Sequence, residues 1–152
     1  MNSFKRETII NASADQVWQA LADIGEIHQW NPGVVSSKTT STGVVGLGAT
    51  RYCDLGGKNY LDEKVVAWQP NEQITMRITA TNMPFAQADI RFYLRPEGNG
   101  THVTVSPEYK LKYGVVGTIL DKLFVEKTYS KGMESLLAGL KEHVESQITP
   151  LI

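Results

Sequence analysis

Cysteine is almost missing from this chain: Cys53 is the only one among 152 residues, so no internal disulfide can form. Long apolar runs are missing too. No window approaches the ~20 uninterrupted apolar residues that a membrane-spanning helix requires. A charge excess of either sign is also lacking. Fifteen Lys and Arg stand against 16 Asp and Glu, interleaved, for a formal net charge of -1. That balance provides no general attraction to nucleic acid or to anionic membrane and favours a small neutral or apolar partner. The N-terminal Met1-Asn2-Ser3-Phe4-Lys5-Arg6 lacks the apolar run of a signal peptide, which reads as a cytoplasmic chain. His28, His102 and His143 fall on different elements without acidic or cysteine companions at ligand spacing, so no metal site is expected. There is no Gly-x-Ser-x-Gly elbow, phosphate-cradling loop or dinucleotide fingerprint, and Gly46-Leu47-Gly48 reads as a turn. No cofactor is expected.

What is present fits one domain over residues 1–152, long enough for a single core. Residues 3–11 suit a strand. Ser13 with Gln16 three residues on forms a capping box, and Ala14, Val17, Trp18 and Leu21 recur at helical spacing, which predicts a helix over 14–22. Ile24, Ile27 and Trp30 form one face of a second short turn, stopped by Pro32-Gly33. Strands follow over 34–42, 49–55, 60–68, 72–80, 85–94 and 101–113, each bounded by Gly, Pro or Asn turn chemistry. With the first, that makes about seven antiparallel strands before one long terminal helix. A curved sheet round a single helix encloses more space than side chains fill, so this order predicts a cavity.

Alternation sorts each strand into faces. Ile74, Met76, Ile78 and Ala80 share one face. Ala86, Ala88, Ile90, Phe92 and Leu94 share another, as do Val103, Val105, Pro107, Tyr109, Leu111 and Tyr113. Met76, Ile78, Ile90, Phe92, Tyr109 and, from the helix, Met133 are expected to line the cavity. Tyr109 and Tyr113 would bring phenols that need a partner or could offer one to a ligand. Trp18 reads as core, whereas Trp30, at the junction with the sheet, suits either cavity wall or ordinary packing.

The strand over 60–68 is the most informative. An inner set of Leu61, Glu63, Val65 and Ala67 places one carboxylate in an apolar stripe, where it must be paired, protonated or hydrated. The alternative inner set, Tyr60, Asp62, Lys64, Val66 and Trp68, buries two charges and is worse. Glu63 is therefore the candidate catalytic or ligand-binding group, with Arg51 on the adjacent strand as a partner for an ion pair and Cys53 as a further polar group of the inner face. In the terminal region Val125, Tyr129, Met133, Leu136, Leu137, Leu140 and Val144 form one stripe. Leu120, Leu123 and Phe124 lie out of phase with it. A break near Phe124 is expected, with Leu120 and Phe124 over the cavity mouth or in an interaction face that could also serve a homodimer.

Ser13-Ala14-Asp15-Gln16-Val17-Trp18 with Leu21 and Asp23, Trp30-Asn31-Pro32, Gly48-Ala49-Thr50-Arg51, the Gly57 to Val65 stretch with Glu63, and Trp68-Gln69-Pro70 before a long final helix carry a resemblance. In order and spacing they resemble the START-like, or Bet v 1-like, helix-grip superfamily (SRPBCC), most closely its bacterial polyketide cyclase/dehydrase and lipid-transport branch. The resemblance covers nearly the whole chain. It implies an α+β helix-grip fold: a seven-stranded antiparallel sheet gripping the C-terminal helix, with two small helices between the first and second strands. It also implies an apolar ligand such as a lipid or polyketide, and an acidic residue at Glu63 facing the pocket. The family has no universal catalytic set, so enzyme activity does not transfer with the name. Three readings remain open: a carrier or sensor of an apolar small molecule, a cyclase or dehydratase using Glu63 with Tyr109 or Tyr113, and a protein-interaction module using the 115–124 face.

Overall fold

The computed structural model describes residues 1–112 and 124–148. Strands β1 (Asn2–Ser3) and β2 (Arg6–Ile10) lead to helix α1 (Ala14–Ala22) and a 3-10 helix (Ile24–Gln29). Next come β3 (Ser36–Thr39), β4 (Thr50–Gly56), β5 (Asn59–Gln69), β6 (Gln73–Thr81), β7 (Phe85–Glu97) and β8 (Gly100–Leu111). Helix α2 (Glu126–Ile148) follows. The sheet is antiparallel in the order β1-β8-β7-β6-β5-β4-β3, with β2 also on β8. This is the helix-grip architecture, with eight strands among the described residues where about seven were expected.

The extra strand has a local cause. β1 and β2 both pair with β8, but the ladder lapses between Ser3↔Glu108 and Arg6↔Val105, opposite Pro107. Proline has no N–H to donate to a ladder. The single strand expected over 3–11 is therefore divided in two.

The capping box forms as expected: Gln16 N–H donates to Ser13 Oγ at 3.2 Å and Ser13 N–H to Gln16 Oε1 at 3.0 Å. It starts α1 so that Val17, Trp18 and Leu21 are buried. Trp18 is core, edge-on to Trp68 with ring centroids 5.0 Å apart. On α2 the apolar stripe of Met133, Leu136, Leu137, Leu140 and Val144 is buried against the sheet. Polar contacts fasten this helix to β2 and the residue after it. Arg6 pairs with Glu134 at 3.3 Å and bonds Ser130, Lys141 Nζ donates to the Ile9 carbonyl at 2.6 Å, and Asn11 N–H donates to Glu145 at 2.8 Å.

Three bulges change which side chains face the helix. Between Asp62 and Glu63 the β6 strand carries one extra residue, Thr79, so Ile78 opposes Glu63 while Ala80 opposes Asp62 and is exposed. Between Val65 and Ala67, Val66 is extra, so Trp68 rather than Ala67 opposes the buried Ile74. Between Phe85 and Gln87, Ala86 is extra and exposed, leaving Phe85 opposite Leu111. Ala80, Ala67 and Ala86, expected on the inner face, are displaced from it because a bulge inverts the alternation beyond it. The expected break within 115–124, with Leu120 and Leu123, lies outside the described residues; Phe124 itself is exposed.

Candidate ligand cavity

Between the sheet and α2 lies a cavity of about 560 Å³, within the range of small-molecule sites. Leu55, Leu61, Met76, Ile78, Ile90 and Phe92 form its sheet wall, and Tyr129, Gly132, Met133 and Leu136 its helix wall. Ile27, Asn31, Gly33 and Val34 border it from the segment after α1, and Met83, Pro84 and Phe85 from the β6–β7 turn.

Arg51 and Glu63 are the charged exceptions in this wall. They are directly opposed in the β4–β5 ladder, and Arg51 Nε donates to Glu63 Oε1 at 3.0 Å. Arg51 is 5% exposed and Glu63 2%. Arg51 Nη1 also donates to the Ile24 carbonyl at 3.1 Å, tying the pair to the 3-10 helix. Cys53 Sγ lies 3.7 Å from the same carboxylate oxygen. Burial pushes the Cys53 thiol up to about 12, with the Glu63 carboxylate adding to the rise and Arg51 opposing it. The thiol is therefore neutral at ordinary pH and a poor nucleophile. The Tyr129 phenol is also raised, first by burial and then by the charge of Glu63, so it keeps its proton.

Among the described residues no group of three His, Cys, Asp or Glu could hold a metal ion, and no helix is long and apolar enough to cross a membrane.

A family described as "Polyketide cyclase / dehydrase and lipid transport" matches residues 1–145. The chain belongs to this family. No curated protein matches it in sequence. Among solved structures, a protein of Thermus thermophilus is similar at TM-score 0.81 and 23% identity, covering 97% of this chain and 100% of that one. A START superfamily protein of Mycobacterium smegmatis is similar at TM-score 0.78 and 22% identity, covering 97% of this chain and 99% of that one. BexL, a di-domain ARO/CYC from the BE-7585A biosynthetic pathway, is similar at TM-score 0.79 and 17% identity, covering 99% of this chain and 48% of that one. Likeness at these identities speaks for the fold.

In this polyketide cyclase/dehydrase family member, Arg51, Cys53, Leu61, Glu63, Met76, Ile78, Ile90, Phe92, Phe124 and Met133 all border the cavity. Two expected wall residues do not. Tyr109 is fully buried behind the wall in an aromatic cluster, with ring centroids 6.4 Å from Phe4, 5.7 Å from Phe85 and 5.2 Å from Tyr129. Trp30 is buried in the main core and borders a separate void of about 10 Å³. Tyr113 and Leu120 lie outside the described residues. Sequence reasoning missed Tyr129, although the helical stripe contained it, and Phe85, whose inward placement depends on the bulge.

Proposed function

We propose that this protein binds and carries an apolar small molecule, a lipid, polyketide or similar compound, in the cavity between its sheet and α2. The observation that carries the reading is the cavity itself, about 560 Å³ with a wall apolar but for a few groups centred on Arg51 and Glu63. Apolar area removed from water contributes roughly 25 cal/mol per Å², so such a wall favours a hydrocarbon-rich occupant. The polar groups then orient it. The Arg51–Glu63 contact supports a binder over an enzyme, because the carboxylate is already engaged by the guanidinium and approached by the Cys53 thiol. Mass spectrometry of an organic extract from purified protein, against a buffer blank, is the direct test. An extract identical to the blank, together with no uptake of added apolar compounds, would remove the reading.

A second reading, cyclase or dehydratase chemistry, has one observation in its favour: Glu63 and the Tyr129 phenol border the same cavity. A similar structure is an ARO/CYC. Under this reading Glu63→Gln should slow turnover of a polyketide-like substrate roughly 100-fold or more. Unchanged turnover would exclude Glu63 as acid or base. Protein interaction through 115–124 remains the third reading, and a homodimer would use that face.

A further inference from the structure

We infer that the small void adjoining the cavity takes one neutral oxygen of the cavity's occupant, a carbonyl or hydroxyl, which accepts a hydrogen bond from the indole N–H of Trp30 beside Arg51. The inference rests on the carrier reading and narrows the class of ligand. Among the described residues, Trp30 Nε1 is the one buried side-chain nitrogen or oxygen without a hydrogen-bond partner, on a residue only 6% exposed. A buried donor left unsatisfied is costly and calls for a reason.

The void that Trp30 borders adjoins the main cavity, sharing Ile27, Arg51, Met76 and Phe92 in its wall. Its volume of about 10 Å³ suits a single water-sized group. The polar side chains at its wall are Trp30 and Arg51, with Leu21, Ile74 and the four shared residues completing it. Indole and guanidinium nitrogens only donate, so the matching group is an acceptor.

Charge decides which acceptor fits. Arg51 is the only cation among the described residues bordering either space, and Glu63 already balances it at 3.0 Å. A ligand carboxylate would bring a second anion beside Glu63 without a second cation, which an apolar wall disfavours. It also has two oxygens where one fits. A ketone, aldehyde or alcohol oxygen meets the donors without adding charge.

Four fluorescent probes of one shape test this on the full chain: 9-anthraldehyde, 9-anthracenemethanol, 9-methylanthracene and 9-anthracenecarboxylate. Titration should show the aldehyde and the alcohol binding roughly tenfold tighter than the methyl compound, as one hydrogen bond implies, with the carboxylate weakest. In nitrogen-proton correlation spectra the Trp30 indole resonance should move with the aldehyde and stay in place with the methyl compound. Trp30→Phe should collapse the aldehyde-to-methyl affinity ratio toward one. If that variant does not fold, the wild-type series and the indole resonance, assigned by elimination against Trp18→Phe and Trp68→Phe, still decide. Equal binding of the neutral probes, a preference for the carboxylate, or an indole resonance indifferent to the aldehyde overturns the inference while leaving the carrier reading in place. Failure of all four to bind overturns the carrier reading for this cavity, and the inference falls with it.

Discussion

Gly139 of α2 lies against the carbonyl of Trp30 so closely that any Cβ at position 139 would overlap that oxygen. The terminal helix thus rests directly on the chain just past the 3-10 helix, and the neighbour is backbone that cannot rotate aside. Replacing Gly by Ala within a helix ordinarily gains about 1 kcal/mol, whereas overpacking costs about 1–3 kcal/mol. The overlap with backbone should win. Gly139→Ala is expected to lower the urea midpoint, and a midpoint unchanged or raised would show that the helix shifts freely.

Gly132, two turns earlier along the same side of α2, predicts the opposite. It borders the cavity, and a Cβ there meets nothing within 4 Å. Gly132→Leu should hold or raise stability by up to about 1 kcal/mol while lowering the ligand recovered by extraction. Full ligand recovery from a folded variant would mean the site lies elsewhere.

The two members of the Arg51–Glu63 pair depend on each other, each being buried beside its counter-charge. Removing only the guanidinium strands a carboxylate that is 2% exposed, a change that typically costs about 3–5 kcal/mol. Arg51→Met should therefore be strongly destabilising, and Arg51→Met with Glu63→Leu should recover most of the loss. Chemical unfolding of both variants checks this; a double variant as unstable as the single one would show that the pair does more than neutralise itself.

Alkaline sensitivity follows from Cys53. Its thiol titrates near 9.0 when exposed and at about 12 when folded, because burial disfavours the thiolate. Between those values the unfolded chain loses the proton while the folded one retains it, so the folded state binds more protons. Stability attributable to this group is complete below about pH 9 and is lost as pH rises toward 12, at about 1.4 kcal/mol per unit. Unfolding free energies measured from pH 8 to 10.5 should fall less steeply for Cys53→Ala than for the unsubstituted chain. Equal slopes would show that the thiol is more accessible than its burial suggests.

Much of this was legible in the residue pattern. Ser13 and Gln16 announce α1, and the spacing of Met133, Leu136, Leu137, Leu140 and Val144 identifies the buried side of α2. Glu63, an acid in an apolar stripe, points to Arg51 across the ladder. What escaped is what pairing, not alternation, decides. Alternation is a local rule, so it carries a face straight through Val66, Thr79 and Ala86, where the neighbouring strand imposes a bulge. For the same reason the phenol bordering the cavity belongs to Tyr129, while Tyr109 is enclosed by Phe4 and Phe85. The orphaned indole nitrogen of Trp30 is likewise a matter of which neighbours surround it, and no spacing encodes that.

The bulges also say where this chain can change length. Val66, Thr79 and Ala86 are residues that the ladder does not count. Deleting Ala86 would leave Phe85 opposite Leu111 and Gln87 opposite Lys110, so each inward side chain would keep its place. Removing a residue from the regular middle of β7, between Ile90 and Leu94, would turn the inward side chains on one side of the deletion to solvent. Insertions and deletions in related chains should accordingly gather at such uncounted positions, where a strand can gain or lose a residue while the cavity keeps its lining.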